Sequence, residues 1–292
     1  AEHRVFTRKD GFLSMRDKLN VYFFQSDTHR LLVRDEGSVR APRYGSLDKA
    51  MRKSPCSAGV NGGFFGADAE GTPLGLVVQD GKRLSPLATG SFAVSGVVYD
   101  NGKNGLFLIR SSALKRMKKL PAMQAAIQGG PFLVENGTAV KGLNARKSTY
   151  RTFIATDGGK RWCIGVSSSV TLRELAEWLA TPGALGNFRV KTALNLDGGS
   201  SSAFWCHESG ISYPAFKQVR NYLGVAPRRQ TPSFTGPAFL FPSFILRRRR
   251  AANSRKQARM AQSPNRAYRV ISVQPTGSVA FITCLLYTSD AA

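Results

Sequence analysis

The segment from Ala193 to Ala203 constrains this chain more than any other. It reads ALNLDGGSSSA, an apolar run that ends at Asp197 and is followed by Gly198, Gly199 and three serines. Such a run predicts a buried strand that carries one carboxylate at its tip. Glycines let a ligand approach the backbone closely, and their N–H groups can point at an anion. The same residues also form ordinary tight turns, so the turn interpretation stays open at this point.

Two other segments share the pattern of an apolar run, a glycine pair and a second apolar run. The first, GVNGGFFG, places Asn61 before the pair Gly62-Gly63. The second, IQGGPFLV, places the pair Gly129-Gly130 before a proline and a strand-like run. Three such segments in one chain predict strand ends at which the backbone is closely approached.

Arg151 opens a further apolar strand, in the segment YRTFIA. Together and in this order, the four segments resemble the phosphodiester glycosidase family. The resemblance runs from about Val21 to Pro227 and includes the stretches PLGLVVQDGK and RNYLGV. One departure is Ser200, which stands where many relatives carry a third glycine.

The resemblance implies a hydrolase that cleaves the glycosidic bond of a sugar-1-phosphodiester, with an N-acetylglucosamine-type or cell-envelope glycan as substrate. Because the leaving group is a phosphate monoester, such an enzyme must mainly stabilise an oxocarbenium-like centre and hold the phosphate charge. We assign Asp197 as nucleophile or general base. We assign Arg151 as the phosphate clamp, because guanidinium binds phosphate oxygens in a bidentate fork. Asn61 is assigned to bind sugar hydroxyls or orient water; a strand-edge ion pair for Arg151 and a turn for Asn61 are the structural alternatives.

The glycine pairs and the serines after Asp197 are expected to bind the sugar or the phosphate. These residues are Gly62, Gly63, Gly129, Gly130, Gly198, Gly199, Ser200 and Ser201. A Ser-His-Asp triad is not supported, because His207 follows on the same strand and the other histidines lie outside every motif. No EF-hand loop or His-x-x-x-His pair is present, and a calcium or magnesium site that includes Asp197 stays open. No cofactor is otherwise implied, and no phosphate-binding nucleotide motif occurs.

A second function class is a non-catalytic module that binds glycans or polyanions on the same fold. The presence of Asn61, Arg151 and Asp197 together favours the enzyme, because binding alone tolerates loss of the acid. A nucleic-acid-binding protein ranks last, since it would depend on a basic tail. The expected partner is therefore a small or polymeric sugar-phosphodiester, and no nucleic acid is expected.

Charge and composition divide the chain at Pro227. The 292 residues carry a net charge of +24 and are 42% hydrophobic, enough to bury a core. Eleven of the 42 Lys and Arg residues follow Pro227, against one acid, so the preceding part carries +14. A basic surface attracts anionic substrates. We expect an N-terminal segment at 1–20, the glycosidase-like domain at 21–227, and in 228–292 a frameshifted or spurious extension without folded structure.

The cysteines and the apolar runs are informative about the cellular compartment of the protein. The four cysteines at 56, 163, 206 and 284 form no Cys-x-x-Cys pair, which excludes common zinc ribbons. One disulfide among the first three and three buried thiols are both open, and buried thiols are favoured. No run of 18 apolar residues predicts a membrane span, and no signal peptide is visible. The resemblance implies a periplasmic or secreted, bacterial protein.

The remaining pattern predicts an α+β fold, a single domain with a mixed, mostly antiparallel sheet and a few packed helices. Hairpins are predicted at 97–109, 132–140 and 153–166, each around Asn-Gly or Asp-Gly. Asp157 is interpreted as a turn residue in the last. Thr171-Leu-Arg-Glu174 is a capping box that predicts a helix ending before Thr181. Shorter helices are expected at 46–53 and 111–119.

Overall fold

The computed structural model describes residues 1–9, 16–103 and 105–228, and all of them fall within one compact unit. Strands dominate this part of the chain. They are β1 (Glu2–Lys9), β2 (Arg16–Gln25), β3 (His29–Asp35), β4 (Ala58–Asn61), β5 (Val77–Gln79), β6 (Lys82–Ser85), β7 (Gly96–Asp100), β8 (Leu106–Arg110), β9 (Ala125–Gly129), β10 (Phe132–Glu135), β11 (Thr138–Ala139), β12 (Thr149–Thr156), β13 (Arg161–Val170), β14 (Thr192–Asn195), β15 (Phe204–Cys206), β16 (Ile211–Tyr213) and β17 (Asn221–Pro227). The helices are α1 (Leu47–Arg52), α2 (Ser111–Arg116) and α3 (Leu172–Ala180), with single 3₁₀ turns at Phe92–Val94 and Gly199–Ser201.

The strands form three sheets, and every described pair in them is antiparallel. Sheet 1 has the order β1-β2-β13-β12-β14-β10-β11. Sheet 2 has the order β16-β15-β4-β17-β3, and sheet 3 the order β6-β5-β9-β7-β8. The predicted α+β fold with a mostly antiparallel sheet is therefore confirmed.

One apolar core lies between the three sheets, and a helix covers the other face of each. The shared core takes side chains such as Ile154 from sheet 1, Val60 from sheet 2 and Ile127 from sheet 3. Helix α3 packs on the outer face of sheet 1, α1 on sheet 2 and α2 on sheet 3. Central strands such as β12 are thus buried on both faces, which explains their continuous apolar sequence.

The three predicted hairpins are present as the pairs β7–β8, β10–β11 and β12–β13. Asn136 and Gly137 both have positive φ, 52° and 79°, as a two-residue hairpin turn requires. In the β12–β13 turn only Gly158 has positive φ, and Asp157 instead accepts a hydrogen bond from the Gly159 N–H at 2.8 Å. Asp157 is therefore a turn residue, as predicted.

The capping box at α3 is confirmed. The Thr171 hydroxyl accepts from the Glu174 N–H at 3.1 Å, and the Glu174 carboxylate accepts from the Thr171 N–H at 2.7 Å. These bonds satisfy two N–H groups that a helix start leaves unpaired, and such caps contribute about 1 kcal/mol. Helix α1 lies within the predicted range. Helix α2 is shorter than predicted, because Met117 already has an extended backbone with ψ 135°.

Three of the four cysteines lie in the described part, and none of the three is in a disulfide. Cys56, Cys163 and Cys206 are buried and free. Burial raises the pKa of the Cys56 thiol to about 12. The favoured interpretation as buried thiols is confirmed for these three, while the fourth cysteine lies outside the described residues.

Both ends of the described chain make defined contacts. Strand β1, within the segment 1–20, pairs with β2 along its whole length. Arg228 donates to Asp100 at 3.0 Å and to the Ser26 carbonyl at 2.9 Å. The expectation that 228–292 lacks folded structure otherwise falls on residues outside the described part.

Candidate active site

The three glycine-pair segments meet where strands of different sheets end. The Asp197 N–H, just beyond β14, donates to the Gly62 carbonyl, just beyond β4, at 3.1 Å. A Cβ placed on Gly63 would lie 2.5 Å from the Gln128 carbonyl oxygen of β9. One on Gly129 would lie 2.8 Å from the Asn195 carbonyl oxygen of β14. The glycines thus let three sheets approach backbone to backbone.

The N–H groups of several of these glycines are used within the protein. Gly62 and Gly63 donate to the carbonyl and the side-chain oxygen of Asn221, at 2.9 and 3.0 Å. Gly130 donates to the Asn195 carbonyl at 2.8 Å, and Gly198 to the Asp197 carboxylate at 2.9 Å. These four amides therefore donate hydrogen bonds within the protein, and the expected role of the glycines in binding sugar or phosphate stays a prediction.

Asn61 is fully buried, and its side chain bonds only to protein groups. Its Nδ2 donates to the Asp197 carbonyl at 2.7 Å. Its Oδ1 accepts from the Thr152 hydroxyl at 2.7 Å and from the Ala203 N–H at 3.0 Å. Asn61 thus holds the backbone of Asp197 and joins β4 to β12, while its assignment to sugar hydroxyls or water stays a prediction.

Asp197 is partly buried at the end of the strand, as the sequence indicated. Burial raises the pKa of its carboxyl above the usual value. The Ser201 hydroxyl, the charge of Lys217 and the Gly198 N–H act in the opposite direction, but burial is the larger effect. A strand-end carboxyl with a raised pKa is suited to exchange a proton or to attack as a poorly solvated anion.

Arg151 lies at the start of β12, where a β-bulge between Thr149 and Arg151 shifts the register against β13. Bulges re-aim side chains and occur often beside active sites. The Arg151 Nε donates to the Val170 carbonyl at 3.1 Å and Nη2 to the Lys147 carbonyl at 2.6 Å. The side chain is only 9% exposed, and burial lowers its pKa. Within the described residues it has no carboxylate partner.

The loop after Asp197 brings the carboxylate and the arginine together. A Cβ on Gly198 would lie 2.9 Å from the Tyr150 carbonyl oxygen and 3.8 Å from both Cα and Cδ of Arg151. Gly199 has φ 64°, in the left-handed region that favours glycine, and starts the 3₁₀ turn to Ser201. Ser201 is fully buried and Ser200 exposed. Two backbone segments packed this closely place the Asp197 loop directly against Arg151.

Sequence reasoning missed a second group of residues at this loop. The backbone N–H groups of Phe216 and Lys217 donate to the Ser200 carbonyl at 2.8 and 3.2 Å. The Phe216 ring is 79% exposed and lies 6.2 Å from the 47% exposed ring of Tyr150. Exposed aromatic rings beside a polar site are suited to stack on sugar faces. No motif marks Phe216 or Lys217, because only the hydrogen bonds to Ser200 bring them to the loop.

The described residues contain no group of three or more His, Cys, Asp or Glu side chains that could hold a metal ion. His207 is exposed at the end of β15, outside this set of contacts. No helix in the described ranges is long and apolar enough to cross a membrane.

The fold and site define an antiparallel α+β domain with a carboxylate and an arginine at converging strand ends. The zebrafish N-acetylglucosamine-1-phosphodiester alpha-N-acetylglucosaminidase catalytic domain, auto-inhibited by its pro-peptide, is similar in structure. It has a TM-score of 0.58 and 17% identity over 78% of this chain and 83% of that one. A hypothetical protein from Synechocystis gives a TM-score of 0.47 and 16% identity over 77% and 61%.

The sequence itself identifies the family. The model of the phosphodiester glycosidase family matches residues 54–226, more than half of the chain. The chain therefore belongs to the phosphodiester glycosidase family, as its motifs indicated. No match to a curated protein sequence was found.

Proposed function

We propose that this protein hydrolyses the glycosidic bond of a sugar-1-phosphodiester, with Asp197 as nucleophile or general base and Arg151 as the phosphate-binding cation. The observation that carries the proposal is that two poorly solvated groups of opposite charge, Asp197 and Arg151, lie in adjacent segments without bonding to each other. Among the residues that the structure describes, the nearly buried Arg151 has no carboxylate partner, and the Asp197 loop packs against it. Burying an unpaired charge is costly, so such a cation is suited to an anionic ligand.

The proposal gives each of these groups a part in the reaction. The end of the Arg151 guanidinium, Nη1 with the second hydrogen of Nη2, holds the phosphate, since Nε and the first Nη2 hydrogen bond to carbonyls. The bond from the anomeric carbon to the phosphate oxygen breaks, and its electron pair leaves with the phosphate. Asp197 either attacks the anomeric carbon, which forms a glycosyl ester that water then hydrolyses, or removes a proton from the water that attacks this carbon. Asn61 holds the Asp197 backbone in place.

The decisive experiment follows the position of a new oxygen atom. The full chain is incubated with UDP-N-acetylglucosamine in ¹⁸O-labelled water, and the products are analysed by mass spectrometry. Cleavage of the glycosidic bond places the label in the free sugar. Label in the phosphate would mean cleavage of the P–O bond and would reject the glycosidase.

The second function class predicts a different result in the same experiment. A binding module would release no sugar from any sugar-phosphodiester. Wild type and Asp197→Asn would then bind an N-acetylglucosamine polymer equally well. That outcome would replace the enzyme with a glycan-binding module.

The remaining parts of the proposal concern location and the tail. We propose action in the periplasm or outside the cell, where phosphodiester-linked envelope glycans lie, and cell fractionation with an activity assay tests this. Residues 229–292 are proposed to be dispensable. The deletion is placed after Arg228 because that side chain bonds to Asp100. A deleted protein that loses turnover or melts at a lower temperature would contradict dispensability.

A further inference from the structure

Lys217 is a cation at the site that the proposed function does not use. Its backbone N–H is held by the Ser200 carbonyl at 3.2 Å, in the loop that begins at Asp197. Its Nζ lies 4.8 Å from the centre of the Phe65 ring, which follows the Gly62-Gly63 pair. The Gly62 carbonyl in turn accepts from the Asp197 N–H. Lys217 therefore contacts both of the segments that flank the carboxylate.

The Lys217 ammonium forms no ion pair with a described acid. Within residues 1–9, 16–103 and 105–228, every ion pair is formed by a cation other than Lys217. The aromatic face of Phe65 attracts the ammonium and leaves its hydrogens available to a further acceptor. The charge also reaches the site, because it lowers the pKa of Asp197 against the larger effect of burial.

The charge on the substrate changes during the proposed reaction. A phosphodiester carries one negative charge, whereas a phosphate monoester carries about −1.5 to −2 near pH 7. When the glycosidic bond breaks, its electron pair moves to the phosphate oxygen, so the second charge develops in the transition state. A single arginine matches the first charge only. Cations aimed at charge that develops during a reaction accelerate it.

We propose that Lys217 is a second phosphate-binding residue, which stabilises the charge that the phosphate gains as the glycosidic bond breaks. The inference rests on the proposed function for the direction of the charge change. In this division Arg151 binds the diester in the ground state, and Lys217 contributes mainly in the transition state and in the complex with the monoester product.

Kinetics of the full chain test the transition-state part. Lys217→Met is expected to lower kcat on UDP-N-acetylglucosamine by about tenfold or more, the lower end for a charged hydrogen bond, with KM little changed. Lys217→Arg should restore most of kcat, because it keeps the charge. Lys53→Met is the matched control, since the Lys53 Nζ likewise lies over an aromatic ring, that of Tyr44, at 5.8 Å. A kcat for Lys217→Met equal to wild type, or a loss that Lys217→Arg does not repair, would overturn the proposal.

Binding of simple phosphates tests Lys217 independently of turnover. Methyl phosphate, a dianion at pH 8, and dimethyl phosphate, a monoanion, are titrated into wild type, Lys217→Met and Arg151→Ala by calorimetry. The Lys217 variant should bind methyl phosphate about tenfold more weakly and dimethyl phosphate unchanged. Equal affinity of wild type and Lys217→Met for methyl phosphate would overturn the inference. If wild type cleaves no diester, the proposed function fails, and this comparison alone still decides whether Lys217 binds phosphate.

Discussion

Two carboxylates of the fold are buried in ion pairs with arginines, whereas the partly buried carboxylate of the candidate site has no such partner among the described residues. At the end of β7 that is remote from Asp197, Asp100 is 1% exposed and bonds to Arg228. At the end of β3, Asp35 is 6% exposed and bonds to Arg220 through both carboxylate oxygens. At the candidate site, Asp197 and Arg151 lie in adjacent segments, yet neither forms an ion pair within the described residues.

On the proposed function, this difference separates charges that hold the fold from charges that serve a ligand. A buried ion pair is satisfied by its own geometry, and removal of one partner leaves an uncompensated charge. An unpaired buried charge lowers stability, and such costs are tolerated mainly where chemistry needs them. Mutation of a paired carboxylate should therefore lower the stability of the protein, whereas mutation of Asp197 should lower turnover.

The largest effect is expected for Asp197→Asn on turnover. Loss of a positioned base or nucleophile should lower kcat by about a hundredfold or more, without loss of folded protein. The measurement is sugar release at equal concentrations of folded protein, with Asp100→Asn, which changes a paired carboxylate far from the site, as the control. Equal kcat values for wild type and Asp197→Asn would remove Asp197 from the chemistry.

Asp100→Ala should show the opposite pattern. It leaves Arg228 without a partner and removes the acceptor for the Leu31 and Gly102 N–H groups. Breaking a buried pair costs about 3–5 kcal/mol, which lowers the melting temperature by roughly 6 to 20 °C in a domain of this size. Calorimetry measures the shift. A melting temperature within one or two degrees of wild type would show that the pair does not hold the fold.

Arg151→Ala is expected to lower kcat/KM by roughly 10- to 100-fold, the range for one or two charged hydrogen bonds to phosphate. Arg151→Lys should recover only part, because an ammonium lacks the planar fork that bonds to the Val170 and Lys147 carbonyls. Steady-state kinetics on UDP-N-acetylglucosamine measures both. Full activity in Arg151→Ala would mean that groups other than Arg151 bind the phosphate.

Asp197→Asn should also stabilise the protein at neutral pH. Because burial raises the pKa of Asp197 in the folded state, the folded protein binds its proton more tightly than the unfolded chain. Stability from this group is therefore lost as pH rises from the unfolded pKa through the folded pKa, and the asparagine removes that loss. The gain in melting temperature over wild type should be present at pH 7 and shrink towards pH 4. A gain that is the same at both pH values would contradict the linkage.

The smallest effect concerns the pH profile of Lys217→Met. The Lys217 charge lowers the pKa of Asp197, so its removal should raise that pKa further. If Asp197 must be ionised, the acid limb of kcat/KM moves to higher pH in the variant. Rates across pH 4 to 8 test the shift, with Lys53→Met as control. If the acid limb moves to lower pH in the variant, the limb reports the ionisation of a group other than Asp197.

The elements predictable from sequence are those whose interactions are local. The capping box of α3 and the turn at Asn136-Gly137 are fixed by residues within four positions of each other, and both are present. The strand that carries Asp197 is also present, because its apolar run is buried on both faces. The type of these elements and their order along the chain could therefore be predicted from the sequence.

The parts that sequence did not predict depend on distant segments. The glycine pairs were expected to offer free amides, but the Gly63 amide bonds to Asn221, 158 residues away. Asn61 was assigned to the substrate, and its hydrogen bonds to Asp197, Thr152 and Ala203 were not predicted. Lys217 was missed because its position depends on the Ser200 carbonyl. Such pairings follow from strand order among three sheets, which local patterns do not contain.

The position of β17 sets when the site can form during synthesis. This last described strand lies between β4 and β3, so sheet 2 is incomplete until the residues from 221 onward have been made. Asn221, its first residue, accepts the Gly62 and Gly63 amides beside Asp197. A growing chain released before this point has two unpaired strand edges and an unsupported site. Folding of the candidate site is thus tied to the synthesis of β17, and the site can form only after this strand has left the ribosome.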